Sequence, residues 1–549
     1  MNLGVLLLAL AAILAAWLTI ERGARRRLWT VVGLYGLTSA LLIPVGDLER
    51  AFLLALILAA AITGISWTKH YHSGLKLTVA DWSLMFAGTL RFLALQYRAA
   101  AALLALGLVV LISLCLAILS QAGGTQLSPL QRVSVLTGAI CAFGLACLGG
   151  RDAYRYSIAE KLGFFSTFVM SLADLPAWRP RRGLTMRDVA SEGLLLRPPS
   201  LTRSPVRPDI IVIQHESVFD PRLYGLALQP RIEAFFTRSD SPCGVLNVEI
   251  FGGGSWQSEF SFLSGLSSTS FGADAYFIQQ RSLDRIHHTL PRTLAAAGYK
   301  TTLIASCRRS FLGYDAFYRS VGFDERIFAD DLSPPFDLHA FERTSSDGVF
   351  LAAATRALVN GTACNVQPRF TYILTNYNHG PHSCTRAEGS PEARQFGWST
   401  CADAQYSEYY ARLSETVASW ERMRAELVER LSGRPVIVVH YGDHQPVMTR
   451  RIERARGLPP DPGRHLRTFY AVDTLNFSCD REPIPQGTPL DLTYLGTATL
   501  QLAGLPLDAV SATRAALFGP RSPLCGEDVN HLRRRFHRTL LDQGLIDAA

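Results

Sequence analysis

The sequence predicts a helical membrane-spanning domain of about five spans, followed by an α/β domain built on a mostly parallel sheet. Three observations carry that expectation. Apolar residues crowd the N-terminal 150 positions into runs close to the length that crosses a bilayer. Beyond residue 208, short strands that are apolar on both faces alternate with helical patterns. At 549 residues, the chain is also too long for one ordinary core.

The apolar runs are Leu3–Ile20, Leu28–Val45, Ala51–Trp67, Ala99–Ser120 and Val133–Gly149. A cleavable leader would be one short run with a small-residue site behind it, so Leu3–Ile20 reads as a retained span. Orientation is contested within the sequence. Arg22, Arg25, Arg26 and Arg27 draw the first loop to the cytoplasm, as Lys69, Lys76, Arg91 and Arg98 draw the third, and five spans then leave the C-terminal domain on that side. A partial crossing at Ser83–Gln96, or short loops that obey the charge rule weakly, places it outside instead.

In Lys161–Leu172, Phe164, Phe165, Phe168 and Leu172 recur near helical spacing, which suits a helix in the membrane interface or a further core helix. Pro176–Pro208 is proline-punctuated and arginine-rich, a basic linker that either hugs anionic lipid or is a plain tether. The expected domains are therefore 1–150, membrane-spanning; 151–207, interfacial helix and linker; and 208–549, catalytic. The basic balance does not point to nucleic acid, because these arginines lack interleaved aromatics or a recognisable binding motif. Seven cysteines follow residue 208 without any C-x-x-C pair, which fits disulfides in an oxidising compartment better than a zinc module. Proximity in sequence proposes Cys384 with Cys401 and Cys479 with Cys525.

Pro208–Ser217 reads as a buried strand that delivers Glu216 at its C-terminal end, the edge where open α/β sheets bind ligands. Gly252, Gly253 and Gly254 then permit the tight backbone that presents Ser255 at a helix N-terminus, where free N–H groups favour an anion. Leu290–Ala297 is a helix stopped by Gly298, Tyr299–Ala305 a strand, and Asp315–Asp324 a helix and turn. The strand Arg369–Asn376 runs into Asn378-His379-Gly380-Pro381-His382, whose imidazoles can bind phosphate, donate a proton or ligate a metal. Glu408–Leu431 is a long amphipathic helix. Pro435–His440 is a fourth strand, and Asp443 and His444 behind it offer an oxygen and a nitrogen to a divalent ion.

Taken with Glu216, Gly252–Phe260, His379–His382 and Gly442–Pro446, the chain resembles the membrane-bound, sulfatase-fold phosphotransferases of the alkaline phosphatase superfamily. Within them it is most similar to the lipoteichoic acid synthase and glucan phosphoglycerol transferase group. The resemblance extends to the Lys69–Asp81 loop and to Leu490–Thr497. It implies an alkaline phosphatase/sulfatase-like fold and one divalent metal ion, manganese or zinc, held by Glu216, Ser255, Asp443 and His444. Ser255 would be the nucleophile, His379 a catalytic partner, and His382, Trp256 and Tyr314 substrate-binding residues. It also implies a bacterial inner-membrane, multi-pass protein with its catalytic domain facing the periplasm.

The implied activity is transfer of phosphoglycerol from phosphatidylglycerol, a phospholipid donor, to an envelope glycan acceptor through a phospho-Ser255 intermediate. Phosphoethanolamine transfer to lipopolysaccharide or another glycan, and a sulfatase- or phosphatase-type hydrolysis, stand as alternatives. Two departures bear on the choice: the group's usual nucleophile is threonine, and Leu312 and Tyr314 stand where its donor-binding Trp and Arg are expected. True sulfatases need a C/S-x-P-x-R motif, and none occurs in the chain. A catalytically dead binding module would be expected to lose at least one of the four ligands, and all four are present.

Overall fold

The structure, a computed structural model, describes residues 24–73, 76–79, 98–120, 124–148, 163–173, 186–199, 206–237, 241–344, 346–360, 367–387, 390–477, 484–520 and 527–547, with residues 81, 91, 94 and 184 besides. The chain divides near Arg181 into two compact units.

In the N-terminal unit the helices Ala24–Val45, Leu48–Ser73, Arg98–Leu119 and Pro129–Cys147 are each long and apolar enough to cross a membrane. The expected span Leu3–Ile20 lies outside the described residues, as does most of Ser83–Gln96. Ala51, Ala55 and Ala59, spaced one turn apart, are fully buried on Leu48–Ser73. Small side chains at that spacing allow neighbouring helices a close approach where lipid offers no hydrophobic drive between them. Arg98–Leu119 buries none of its apolar span within the unit, so that helix presents an apolar surface all round. Phe164–Ser171 packs Phe165, Val169 and Met170 into the core of this unit beside Trp29 and Val32, which matches the core-helix alternative along its inner face. Lys69 Nζ closes the loop at the end of Leu48–Ser73 by an ion pair with Asp81 at 2.6 Å.

Among the described residues, the C-terminal unit is organised by eight strands: β1 (Asp209–His215), β2 (Cys243–Asn247), β3 (Lys300–Ala305), β4 (Glu325–Phe328), β5 (Arg369–Leu374), β6 (Val436–Gly442), β7 (Arg467–Leu475) and β8 (Leu490–Asp491). Their order is β4-β3-β5-β1-β6-β7-β2-β8. Only β7 runs against the rest, pairing antiparallel with β6 and β2. β1 lies between β5 and β6, with Ile211 opposite Thr371 on one side and Val438 on the other. All seven residues of β1 and of β6 are buried, as the apolar runs at 210–213 and 436–439 require of central strands.

Helix Ala404–Arg430 covers one face of the sheet with Tyr406, Tyr409, Tyr410, Leu413, Val417 and Trp420. Trp420 is 1% exposed, and truncating such a side chain to alanine costs about 3–5 kcal/mol. The sheet thereby holds β1, β5 and β6 side by side in parallel, and their C-terminal ends open onto a common edge.

Two expectations are corrected here. The stretch 186–199 is not a free tether: Ala190 N–H donates to the Arg534 carbonyl, Leu194 N–H to Thr539 Oγ1 and Arg197 N–H to Thr513 Oγ1, so it is fastened to the catalytic unit's C-terminal helices. An extended segment outside helix and sheet has no ladder of its own for its backbone groups and takes partners from the helices beside it. Cys384 and Cys401 are both free thiols, so their proposed pairing is not formed, and Cys479 and Cys525 lie outside the described residues.

Candidate functional site

Three segments meet at the C-terminal edge of β1 and β6. Directly after β1 comes Glu216, 5% exposed, and then Ser217, held in left-handed backbone at φ 55°. At the end of β6, Gly442 lets the two strand ends touch: a Cβ there would lie 1.7 Å from the Val218 carbonyl oxygen, so any other residue would force the loops apart. Asp443 and His444 follow and are almost wholly buried.

The third segment is the glycine run. Gly252, Gly253 and Gly254 all have positive φ (83°, 156° and 92°), and they turn the chain so that helix Ser255–Ser264 begins at the serine itself. Gly252 N–H donates to the Gln445 carbonyl at 2.9 Å, and Ser258 Oγ donates to the Asp443 carbonyl at 2.8 Å. These two bonds fix the serine helix to the Asp-His loop.

The result is a tight group. Ser255 Oγ donates to Glu216 Oε2 at 2.8 Å and lies 3.3 Å from His444 Nε2. His444 Nε2 stands 3.3 Å from Glu216 Oε1 and 3.6 Å from Asp443 Oδ2. The other imidazole nitrogen, Nδ1, is 3.1 Å from the Gln445 carbonyl and donates to it, which turns Nε2 toward the carboxylates. Asp443 Oδ1 accepts from the N–H groups of Ser217 (2.8 Å) and His444 (2.7 Å), while Oδ2 is buried without a hydrogen-bond partner.

Electrostatics agree with that geometry. Burial and the neighbouring Glu216 push the Asp443 carboxyl up to about 7. Burial pulls against His444, but Asp443 and Glu216 outweigh it and hold the imidazole above its ordinary value. Three ionisable groups thus crowd one buried space, and the unpartnered Asp443 oxygen and the imidazole Nε2 both border it. This donor set, two carboxylates, an imidazole and an alcohol, fits a divalent ion such as Zn²⁺ or Mn²⁺.

His379 stands on the loop after β5, half-buried, near enough to Glu216 for each to shift the other's titration. Burial lowers its pKa, and Nδ1 donates to the Gly380 carbonyl at 2.7 Å. His382 is placed differently. It is 5% exposed, with Nε2 2.9 Å from the Asn378 carbonyl and its ring edge-on to Tyr409, inside the loop's own packing.

Trp256 is half-buried beside the serine, and its indole N–H donates to the Tyr276 carbonyl at 2.7 Å. Tyr314 is 5% exposed and donates to Glu259 Oε1 at 3.2 Å. Glu259 lies one turn beyond Ser255, and its other oxygen accepts from Gln279 Nε2 at 2.6 Å and from the Tyr318 hydroxyl. Both carboxylate oxygens are therefore taken by neighbours.

Sequence reading missed the apparatus that holds His379. Arg412 is fully buried in the middle of helix Ala404–Arg430, where it pairs with Glu408 at 2.8 Å and donates to the carbonyls of His379 (2.9 Å), Pro381 (3.1 Å) and Cys384 (2.8 Å). Glu408 in turn accepts from the N–H groups of Arg386 and Ala387. The signal was present: a Glu and an Arg four apart sit among Tyr409, Tyr410 and Leu413, on the stripe of the helix that must face inward.

The profile of the Sulfatase family matches residues 208–469. The chain is similar to an uncharacterized protein of Haemophilus influenzae, 26% identical over 313 residues that make up 55% of this chain and 54% of that one. It is also similar to the capsular polysaccharide biosynthesis protein RkpI of Rhizobium meliloti, 28% identical over 249 residues, 44% of this chain and 42% of that one. The chain spans about half the length of the curated relatives it matches. Among solved structures it is similar to the integral membrane lipooligosaccharide phosphoethanolamine transferase A of Neisseria meningitidis, at 13% identity and a TM-score of 0.53, covering 89% of this chain and 97% of that chain. That likeness is one of fold. Apolar N-terminal helices are thus followed by an α/β domain with a mostly parallel sheet, and it is within this domain that residues 208–469 match the Sulfatase profile.

Proposed function

From that domain, we propose a phosphotransferase that moves phosphoglycerol from phosphatidylglycerol to an envelope glycan by way of phospho-Ser255. One observation carries the reading: the Ser255 hydroxyl lies within hydrogen-bond reach of Glu216 and His444, in a buried group whose Asp443 oxygen lacks a partner.

Glu216, Asp443, His444 and Ser255 would hold the divalent ion. When bound, it supplies charge that lowers the pKa of the serine hydroxyl and steadies the phosphoryl oxygens. Ser255 Oγ attacks phosphorus, the bond from phosphorus to the diacylglycerol oxygen breaks, and diacylglycerol leaves as the alcohol. Because His379 Nδ1–H is engaged with the Gly380 carbonyl, proton traffic at this imidazole runs through Nε2. Nε2 delivers a proton to the leaving oxygen and later removes one from the acceptor hydroxyl that takes the group off Ser255. Trp256 lies at the serine and flanks the headgroup. Tyr314 and His382 act one step back, through Glu259 and through the histidine loop.

Phosphoglycerol is preferred to phosphoethanolamine because an ammonium needs an acceptor near Ser255. Glu259, the nearby carboxylate that could serve, is enclosed and spent on Gln279, Tyr314 and Tyr318. We place the protein in the bacterial inner membrane with this domain in the periplasm, where lipid headgroups meet envelope glycans.

The test is to incubate the purified protein and a divalent ion with phosphatidylglycerol or phosphatidylethanolamine, and to measure diacylglycerol release together with the mass of the Ser255 peptide. Release from phosphatidylglycerol with a phosphoglycerol adduct on that peptide is expected. Release from phosphatidylethanolamine alone would transfer the reading to phosphoethanolamine, and free glycerol phosphate formed without any adduct on Ser255 would make it a hydrolase.

A further inference from the structure

At the far end of the Ser255 helix lies a second polar cavity that the reaction above does not use. Arg514, His288, Ser511, Thr293 and Thr497 line it over a floor that includes Phe262, Leu290 and Leu500, with room for a water-sized occupant. Arg514 is the unusual member. It is 5% exposed, and its acceptors are neutral: the Ser264 carbonyl at 3.2 Å from Nη2 and Thr497 Oγ1 at 3.3 Å from Nη1. Its Nε–H has no hydrogen-bond partner. The nearest carboxylate it senses is Asp508, which is occupied by His288 Nε2 at 2.9 Å and by the Ser511 N–H at 2.7 Å. His288 Nδ1 is likewise buried without a partner.

Buried cations are ordinarily paired, because burying one against neutral dipoles alone leaves most of its desolvation cost standing. Here a guanidinium lines a small cavity with a donor left over, and the unpartnered Nδ1 of His288, whose Nε2 is engaged by Asp508, borders the same space. The geometry points to a site for one small monatomic anion, of which chloride is the common example, between Arg514 and His288. The occupant would accept from Arg514 Nε–H and supply the counter-charge that Asp508 gives largely to His288.

The site has a mechanical consequence for the serine helix. Ser264 is the last residue of helix Ser255–Ser264, and Gly265 behind it lies so close under Arg514 that a Cβ would stand 2.3 Å from the guanidinium carbon. Arg514 thus complements the C-terminal dipole of the helix whose N-terminus presents Ser255. An anion that fixes Arg514 fixes that helix from its other end.

The test uses the full-length protein in detergent. Thermal unfolding is followed while gluconate is replaced by chloride at constant ionic strength, and a crystal grown with bromide is examined for anomalous scattering. A saturable rise in Tm of several degrees is expected, with a bromide peak in contact with Arg514 Nε. His288→Ala should shift the half-saturating chloride concentration upward several-fold, and Arg514→Met should remove the dependence. Should Arg514→Met fail to fold, the bromide peak and the wild-type titration still decide. A flat chloride titration, or a water in place of the bromide peak, overturns the inference.

Discussion

Arg412 Nη1 donates to the backbone carbonyl of His379 across 2.9 Å, so the position of that histidine is set by a guanidinium on a different element. Arg412 is fully buried and Glu408 nearly so, and with Arg412 gone Glu408 would keep Arg394 as its partner while the loop carbonyls lose their donor. Arg412→Ala is expected to lower turnover by displacing the histidine loop while Glu216, Asp443 and His444 keep their metal. Arg412→Lys should recover part of the stability and less of the rate, because one ammonium cannot serve three carbonyls and a carboxylate in a planar fork. A double-mutant cycle with His379→Ala decides: additive losses in kcat would mean that Arg412 does not act through His379.

Ser255→Ala is expected to abolish diacylglycerol release, a loss on the order of 10⁴-fold or more, as for other nucleophiles whose removal leaves binding intact. The variant should still fold, since Ser255 is the first residue of its helix and the turn before it is shaped by the glycines. Turnover by Ser255→Ala at more than a few per cent of wild type would remove the covalent intermediate.

Much of this was legible because the chemistry sits where unbroken apolar runs stop. The apolar runs at 210–213 and 436–439 announce β1 and β6, and Glu216, Asp443 and His444 follow within a few residues of each, so a parallel sheet aligns them without further information. The serine was legible for a similar reason, since three glycines in a row have few uses other than a forced turn. The histidine loop was half legible. Nothing local distinguishes His379, which stands near Glu216, from His382, which is folded away against Tyr409; the difference arises from Arg412, some thirty positions later. The fastening of 186–199 to the C-terminal helices was invisible for the same reason: it depends on partners such as Arg534 and Thr539, far off in sequence.

Chelation should inactivate the protein, and Zn²⁺ or Mn²⁺ should restore it. Glu216→Gln, Asp443→Asn and His444→Ala are each expected to lower metal content measured on purified protein, because the space a lost ligand leaves must be filled by water. Asp443→Asn carries the most information. It preserves the hydrogen bonds that Oδ1 accepts from Ser217 and His444 and replaces only the unpartnered oxygen. Equal metal content in all three variants would dissolve the site.

A reporter fused after Ala549 and active only on export should be active. The charge pattern of the loops argues for the opposite side, and the free thiols at Cys307, Cys384 and Cys401 withdraw the support that disulfides would have given to an oxidising compartment. The proposal therefore rests on the chemistry of lipid headgroup transfer. Activity of a reporter that works only in the cytoplasm would reverse the orientation and remove the envelope glycan as acceptor.

Glu259 should make stability fall as pH rises. Burial pushes its carboxyl up to about 7, against the opposing hydrogen bonds from Tyr318, Gln279 and Tyr314. In the unfolded chain the same group titrates near 4.5. The folded state therefore binds the proton more tightly: the contribution is complete below pH ~4.5 and is lost progressively as pH climbs through about 7. A tenfold difference in proton affinity between the folded and unfolded chains is worth about 1.4 kcal/mol, so the loss amounts to roughly 3 kcal/mol. Glu259→Gln, which cannot ionise and keeps one oxygen as acceptor for either Tyr314 or Tyr318, should flatten this part of the profile. Glu259→Ala should instead destabilise at every pH, because Tyr314, Tyr318 and Gln279 would be left with buried donors and no acceptor. Thermal unfolding of the three proteins between pH 4.5 and 8 reads the difference, and parallel wild-type and Glu259→Gln curves would mean that Glu259 does not titrate in that range.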